Sequence, residues 1–199
     1  MTSATYPSQA ARNNRPLLIP NAQLGMLLFV ATEIMFFVAL ISAYLVIKSK
    51  SGIRWVPPSD VVLPVEATAV NTLILLTSGF CIFLAGRAFA SKVSSDLVKA
   101  KGYFFTGSLM GLVFVAIQGF EWSQLLAHGL TMTSGVFGAC FFLLIGGHGL
   151  HAMAAVLVLF YTFMRLKRGL VTLDQLRSVQ IFWYFIVGIW PFLYVLVYL

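Results

Sequence analysis

Apolar and polar positions alternate along this chain on the scale of whole segments, not of single residues. Five apolar runs, at about 23–47, 64–86, 103–127, 133–164 and 179–199, stand between short polar breaks. Roughly 20 apolar residues let a helix cross about 30 Å of hydrocarbon. Strands of a β-barrel would show short alternating segments with frequent turns. Long continuous runs point to helices, whose backbone groups are satisfied internally. The predicted fold is therefore all-α, a polytopic bundle of five transmembrane helices forming one domain over 23–199. A polar, Pro-containing tail over 1–22 precedes it. The tail lacks the apolar centre of a signal peptide, so the first run is expected to act as an uncleaved insertion signal. The fourth run is too long for an upright crossing, which predicts tilt or an extra turn at its Gly-rich start. Pro191 is expected to kink the fifth.

Composition narrows the class. Sixty per cent of the 199 residues are hydrophobic and only 10% are charged, against about a quarter charged in a soluble domain. Mean hydropathy is +0.93. These values exclude a water-facing globule and a disordered chain alike. Two cysteines are too few for a disulfide framework or a cysteine-ligated zinc site.

The net charge of +7 reads as orientation signal and not as a nucleic-acid footprint, because the cations fill the breaks between apolar runs. Arg12 and Arg15, then Arg87, Lys92, Lys99 and Lys101, then Arg165, Lys167, Arg168 and Arg177 fall on one predicted side. Only Lys48, Lys50 and Arg54 fall on the other. The positive-inside rule then predicts an inner N-terminus and an outer C-terminus. Trp55 and Trp122 near the outer boundary, and Trp183 near the inner one, suit an interfacial belt.

Chemistry in such a chain is sought among polar groups that lipid disfavours. Glu33 lies about ten residues into the first run, near mid-bilayer at 1.5 Å per residue. A carboxylate there costs about 2.5 to 3.5 kcal/mol on the insertion scale. It must be protonated or be bonded from another helix. It reads either as a helix-locking structural acid or as a proton-relay station. His148 and His151, in Gly146-Gly147-His148-Gly149-Leu150-His151, share one helix face and the depth of Glu33. One of them is expected to bond Glu33, with the flanking glycines allowing close backbone approach.

Same-face histidines cannot supply two opposed axial ligands to one haem, and His128 is too shallow to complete a ligand set. No metal site is expected in this chain. Glu121, Gln118 and Asn71 form a candidate secondary polar cluster in the outer half. A lone Glu at that boundary would ordinarily be solvated. Glu66 suits the start of the second helix, where it answers the macrodipole. Cys81 and Cys140 read as small apolar filler. Arg87 and Arg165, at the inner ends of the second and fourth runs, are candidates for lipid headgroups or plain snorkelling.

Four stretches carry a resemblance. They are Leu24-Gly25-Met26 through Glu33 to Phe36-Phe37; Asn71-Thr72 with Leu75, Leu76, Ser78 and Gly79; Gly119-Phe120-Glu121-Trp122 through Gly135-Val136-Phe137-Gly138 to the two-histidine stretch; and Trp183-Tyr184-Phe185 with Trp190-Pro191-Phe192. In order and spacing the chain resembles subunit III of the haem-copper oxidases, the cytochrome c oxidase subunit III family, in its short five-helix bacterial form. The resemblance implies a non-catalytic subunit of a proton-translocating respiratory oxidase, with no active site in this chain. It would pack on catalytic subunit I and other oxidase subunits in a bacterial plasma (inner) membrane. It would hold phospholipid and support proton uptake and durability. No cofactor would be bound here, haem and copper belonging to partner subunits. Glu33, His148, His151 and Glu121 would be the family's acids and His pair.

The family's last helix often reads Trp-His-Phe and then an Asp before a Trp. Tyr184 and Val187 stand in those places. Partners of quinol oxidases or nitric oxide reductases therefore stay open as alternatives. From outside the family, so does an independent proton-coupled transporter carrying its proton on Glu33, although no inverted repeat is visible.

Overall fold

The computed structural model describes residues 20–52, 64–91 and 93–198. Five helices follow one another: α1 (Asn21–Ser51), α2 (Val65–Ala90), α3 (Ser94–Ala127), α4 (Val136–Lys167) and α5 (Leu173–Tyr198). All five are long and apolar enough to cross a membrane, and no strand occurs among the described residues. Arg12, Arg15, Arg54, Trp55 and Lys92 lie outside the described residues.

The helices do not end where the apolar runs end. α3 already begins at Ser94 and α5 at Leu173, because a helix can continue past the hydrocarbon into the polar zone. In α3 the added turns place Asp96 in the first turn, where a negative charge meets the positive end of the helix dipole. Lys99 pairs with it at 3.1 Å. α4 instead starts late, at Val136. Ser134 folds back so that its backbone N–H (3.2 Å) and its hydroxyl (2.7 Å) both donate to the Thr131 carbonyl. Gly135, at φ 133°, then turns the chain into the helix. The 32 residues of α4 still extend about 48 Å, more than the hydrocarbon alone requires. α5 runs without interruption through Pro191, whose missing N–H leaves the Val187 carbonyl without its usual i+4 donor.

Inter-helix contacts fix the directions. Gln23 near the start of α1 bonds Asp174 near the start of α5, and Tyr44 near the end of α1 bonds the Leu196 carbonyl. α1 and α5 are therefore parallel. Asn71 reaches Phe114 while Ser78 reaches Gly107, so α2 and α3 are antiparallel. Cations of the α2 and α4 C-termini and of the α3 and α5 N-termini consequently gather at one end. The acid Glu121 and the C-terminal Tyr198 stand at the other.

α2 and α3 make the most extensive contact. Gly107 permits it: a Cβ there would lie 2.8 Å from the Ile82 side chain and 3.1 Å from the Ser78 carbonyl. Ser78 Oγ donates to the Gly107 carbonyl at 2.7 Å. Small residues and such bonds hold helices together where lipid removes the hydrophobic drive between them. α5 fills the centre, with 44% of its most apolar stretch buried against 11% for α1. Trp190 Nε1 donates to Thr72 Oγ1 at 2.9 Å, and Gln180 Nε2 to the Ile82 carbonyl at 2.7 Å.

Trp183 corrects the interfacial expectation. It is fully buried in a slot left by Gly111, where a Cβ would sit 2.7 Å from the indole. A glycine on another helix decided its place, not its nearness to the cationic end.

Candidate functional site

Glu33 stands on α1 with Oε2 2.9 Å from Nε2 of His151 on α4. Their side chains are 17% and 21% exposed, respectively. The other ring nitrogen of His151 lies 2.7 Å from the Gly147 carbonyl. A carbonyl only accepts, so Nδ1 carries a hydrogen. One proton then joins Nε2 to the carboxyl, and the pair is either imidazole with carboxylic acid or imidazolium with carboxylate. Phe37 closes one side, its ring centroid 5.5 Å from that of His151 in an edge-on arrangement. Phe36 lies at 6.2 Å.

His148 has a different setting. It is fully buried, tilted against Trp190 at 4.9 Å between ring centroids and edge-on to Phe37 at 6.3 Å. Neither of its ring nitrogens has a hydrogen-bond partner among the described residues. The two histidines thus part company: His151 faces α1 and its acid, whereas His148 packs into the aromatic core against α5. The glycine expectation is also corrected. A Cβ at Gly146 or Gly147 would meet nothing within 4 Å, while at Gly149 it would lie 2.5 Å from the Trp122 ring of α3. The glycine of this stretch that permits close packing serves Trp122, not the α1 backbone.

Glu121 lies near the end of α3 but is only 5% exposed, so the expectation of a solvated boundary acid is wrong. Thr68 from α2 and Gln118 from α3 both approach Glu121 Oε2 at 3.0 Å, and Tyr198 from α5 lies 3.4 Å from Gln118 Nε2. These neighbours cover it. Asn71 is not bonded to this acid. Its amide donates to the Phe114 carbonyl at 3.1 Å. Thr68 and Tyr198 were missed by the sequence reading. Thr68 is one turn before Asn71 on the same helix, a usable signal, but nothing local marks Tyr198.

The cations lie along their own helices. Arg87 stands over Phe83 and Arg165 over Tyr161, each at 5.9 Å. Arg165 Nη2 also donates to the Leu170 carbonyl at 3.0 Å. Glu66 occupies the first turn of α2. Cys81 and Cys140 are free thiols. Tyr184 faces outward and accepts from Gln180 Nε2 at 3.2 Å. Val187 seats against Gly79. A groove of about 920 Å³ separates α1 from α5, with Ile34, Phe37, Val38, Phe185, Phe192 and Val195 among its walls. Tyr184 also lines that groove. Among the described residues no three His, Cys, Asp or Glu side chains gather closely enough to hold a metal ion.

Five apolar helices, an acid–histidine contact between spans and a second buried acid define a polytopic membrane protein with polar groups buried between its helices. The family model for cytochrome c oxidase subunit III matches residues 13–199. The chain belongs to that family. A Mycobacterium leprae protein named "Probable cytochrome c oxidase subunit 3" is 30% identical over 192 residues, covering 93% of this chain and 89% of its own. A Mycobacterium bovis protein of the same name is 29% identical across 100% of this chain and 98% of its own. "Cytochrome c oxidase subunit 3" of Corynebacterium diphtheriae is 28% identical over 96% of this chain and 93% of its own. Family membership and five spans make this a multi-pass membrane protein that associates with other oxidase subunits.

Proposed function

We propose that the chain serves as the non-catalytic subunit III of a respiratory haem-copper oxidase, packed on the catalytic subunit in a bacterial plasma membrane. The observation that carries this reading is the 2.9 Å contact between Glu33 and His151, made by residues of the two stretches most specific to the family. In this role the pair locks α1 to α4 at mid-membrane and holds one shared proton there, beside the apolar groove. That groove suits phospholipid acyl chains. Arg87 and Arg165, at the cationic end, suit their headgroups. Haem and copper belong to partner subunits, and this chain supports the durability of proton uptake and oxygen reduction from outside the active site. The cationic end faces the cytoplasm, by the positive-inside rule.

Tyr184 and Val187 favour a second reading within the same family, in which the partner is a quinol oxidase or a nitric oxide reductase. One experiment separates the readings. The chain is purified from its native membrane in mild detergent with its partners, and visible spectra are taken before and after reduction. A haem spectrum that travels with the partners and is absent from the separated chain supports the accessory subunit, and the haem type narrows the partner. A colourless chain that purifies alone and remains stable would overturn the proposal in favour of a proton-coupled transporter.

A further inference from the structure

The contacts around Glu121 are satisfied most simply when the acid brings a hydrogen of its own. Thr68 Oγ1 lies 2.8 Å from the Pro64 carbonyl and 3.0 Å from Glu121 Oε2. A hydroxyl carries one hydrogen. The Pro64 carbonyl has none to offer; it accepts from the Thr68 backbone N–H as well, at 3.0 Å. The shorter contact is also the i−4 back-bond that Thr72, Thr77 and Ser108 make elsewhere in these helices, at 2.7, 2.8 and 2.7 Å respectively. With the Thr68 hydrogen committed to Pro64, the 3.0 Å contact needs a hydrogen from Glu121. Thr72, by contrast, balances without help: it donates to the Thr68 carbonyl and accepts from Trp190.

A second observation points the same way. Glu121 Oε1, Gln118 Oε1 and Asn71 Oδ1 are all buried acceptors without a hydrogen-bond partner among the described residues. Neither ion pair formed among the described residues includes Glu121. A carboxylate would place a full charge among acceptors already short of donors, the costliest arrangement for a buried polar group.

We propose that Glu121 is a second proton-binding site, held as the neutral carboxylic acid with its O–H donating to Thr68 Oγ1. It fastens α2, α3 and the C-terminal Tyr198 of α5 at the end opposite the cations. Gln118 Nε2 donates to the same carboxyl and lies within reach of the Tyr198 hydroxyl. The site is independent of Glu33, and of which oxidase the chain accompanies.

Infrared absorption of the assembled complex at neutral pH, wild type against Glu121→Gln, tests it. The expected difference is loss of one carboxylic-acid C=O band, above the amide I region, with carboxylate intensity unchanged. Loss of carboxylate intensity, or an unchanged carboxylic region, overturns the proposal. Thr68→Val, which keeps the shape and removes the acceptor, serves if the Gln variant does not assemble. A shift of a carboxylic C=O band is expected from it. A shift confined to the carboxylate bands, or no shift, overturns the proposal.

Discussion

Replacing Glu33 by Leu removes the only carboxyl among the described residues within ion-pair reach of His151 and leaves Nε2 without that partner, while Nδ1 keeps the Gly147 carbonyl. A stranded buried polar group costs about 1 to 3 kcal/mol. Side-chain bonds between membrane helices average about 0.6 and reach about 1.7 kcal/mol in measured cycles. The lower scale applies between membrane helices, where the unfolded reference state also finds partners. About 1 kcal/mol is therefore expected, roughly a fivefold weakening of α1 docking at about 1.4 kcal/mol per tenfold. Glu33→Gln should cost less than about 0.5 kcal/mol, because its amide N–H can donate to the Nε2 lone pair of a neutral ring. His151→Leu should cost about as much as Glu33→Leu. The double variant should cost no more than either single one, giving a coupling energy near 1 kcal/mol. Equilibrium unfolding in mixed detergent micelles, read by tryptophan fluorescence, measures all four corners. Additive single effects would refute the pair as a lock. Equal losses from Gln and Leu would show that the amide cannot replace the acid and would point to the charge or the proton itself.

Three further outcomes follow from the packing. His148→Leu should stay within about 1 kcal/mol of wild type in the same unfolding assay, since neither ring nitrogen has a partner to strand; a loss matching that of His151→Leu would contradict the division between the two histidines. Gly111→Leu should destabilise by about 1 to 3 kcal/mol, because its Cβ would already stand 2.7 Å from the buried Trp183 ring, whereas Gly146→Ala, with open space around it, should not change membrane yield or thermal midpoint. Ser78→Ala removes the 2.7 Å bond to the Gly107 carbonyl and should cost about 0.6 kcal/mol, read as a shift in unfolding midpoint at unchanged cooperativity.

What the sequence makes legible here depends on whether the cause is local. Five spans, the α2 acid Glu66 and the common level of Glu33 and His151 all follow from the order of residues and the rise of a helix. The choice between His148 and His151 does not. Three residues apart, they differ by about 60° around the axis, and that small angle sends one ring toward Trp190 of α5 and the other toward α1. Trp183 and Glu121 share the same cause of misreading. Each lies near the end of an apolar run, where a boundary residue is expected to meet water. Each is instead covered by distant residues: Trp183 fits the slot at Gly111, and Thr68 and Tyr198 stand over Glu121. Asn71 shows the converse. It shares the outer half with Glu121, but its amide is taken by the Phe114 carbonyl, a backbone acceptor that no side-chain pattern announces.

The exposure of α1 gives its few polar contacts their weight. Only 11% of its most apolar stretch is buried, and in lipid the apolar face has no hydrophobic reason to prefer protein over acyl chains. Packing at Phe37 and polar contacts near its start, middle and end hold it in place: Gln23 with Asp174 at 3.0 Å, Glu33 with His151 at 2.9 Å, and Tyr44 with the Leu196 carbonyl at 3.4 Å. The first and last tie α1 to α5. The central one alone of these three reaches α4. Without it α1 could pivot about its α5 contacts, and the groove between α1 and α5 would change width. The groove walls Ile34, Phe37 and Ile41 stand just past Glu33 on the same helix. The Glu33–His151 contact is thus expected to set the angle of α1, and with it the width of the groove.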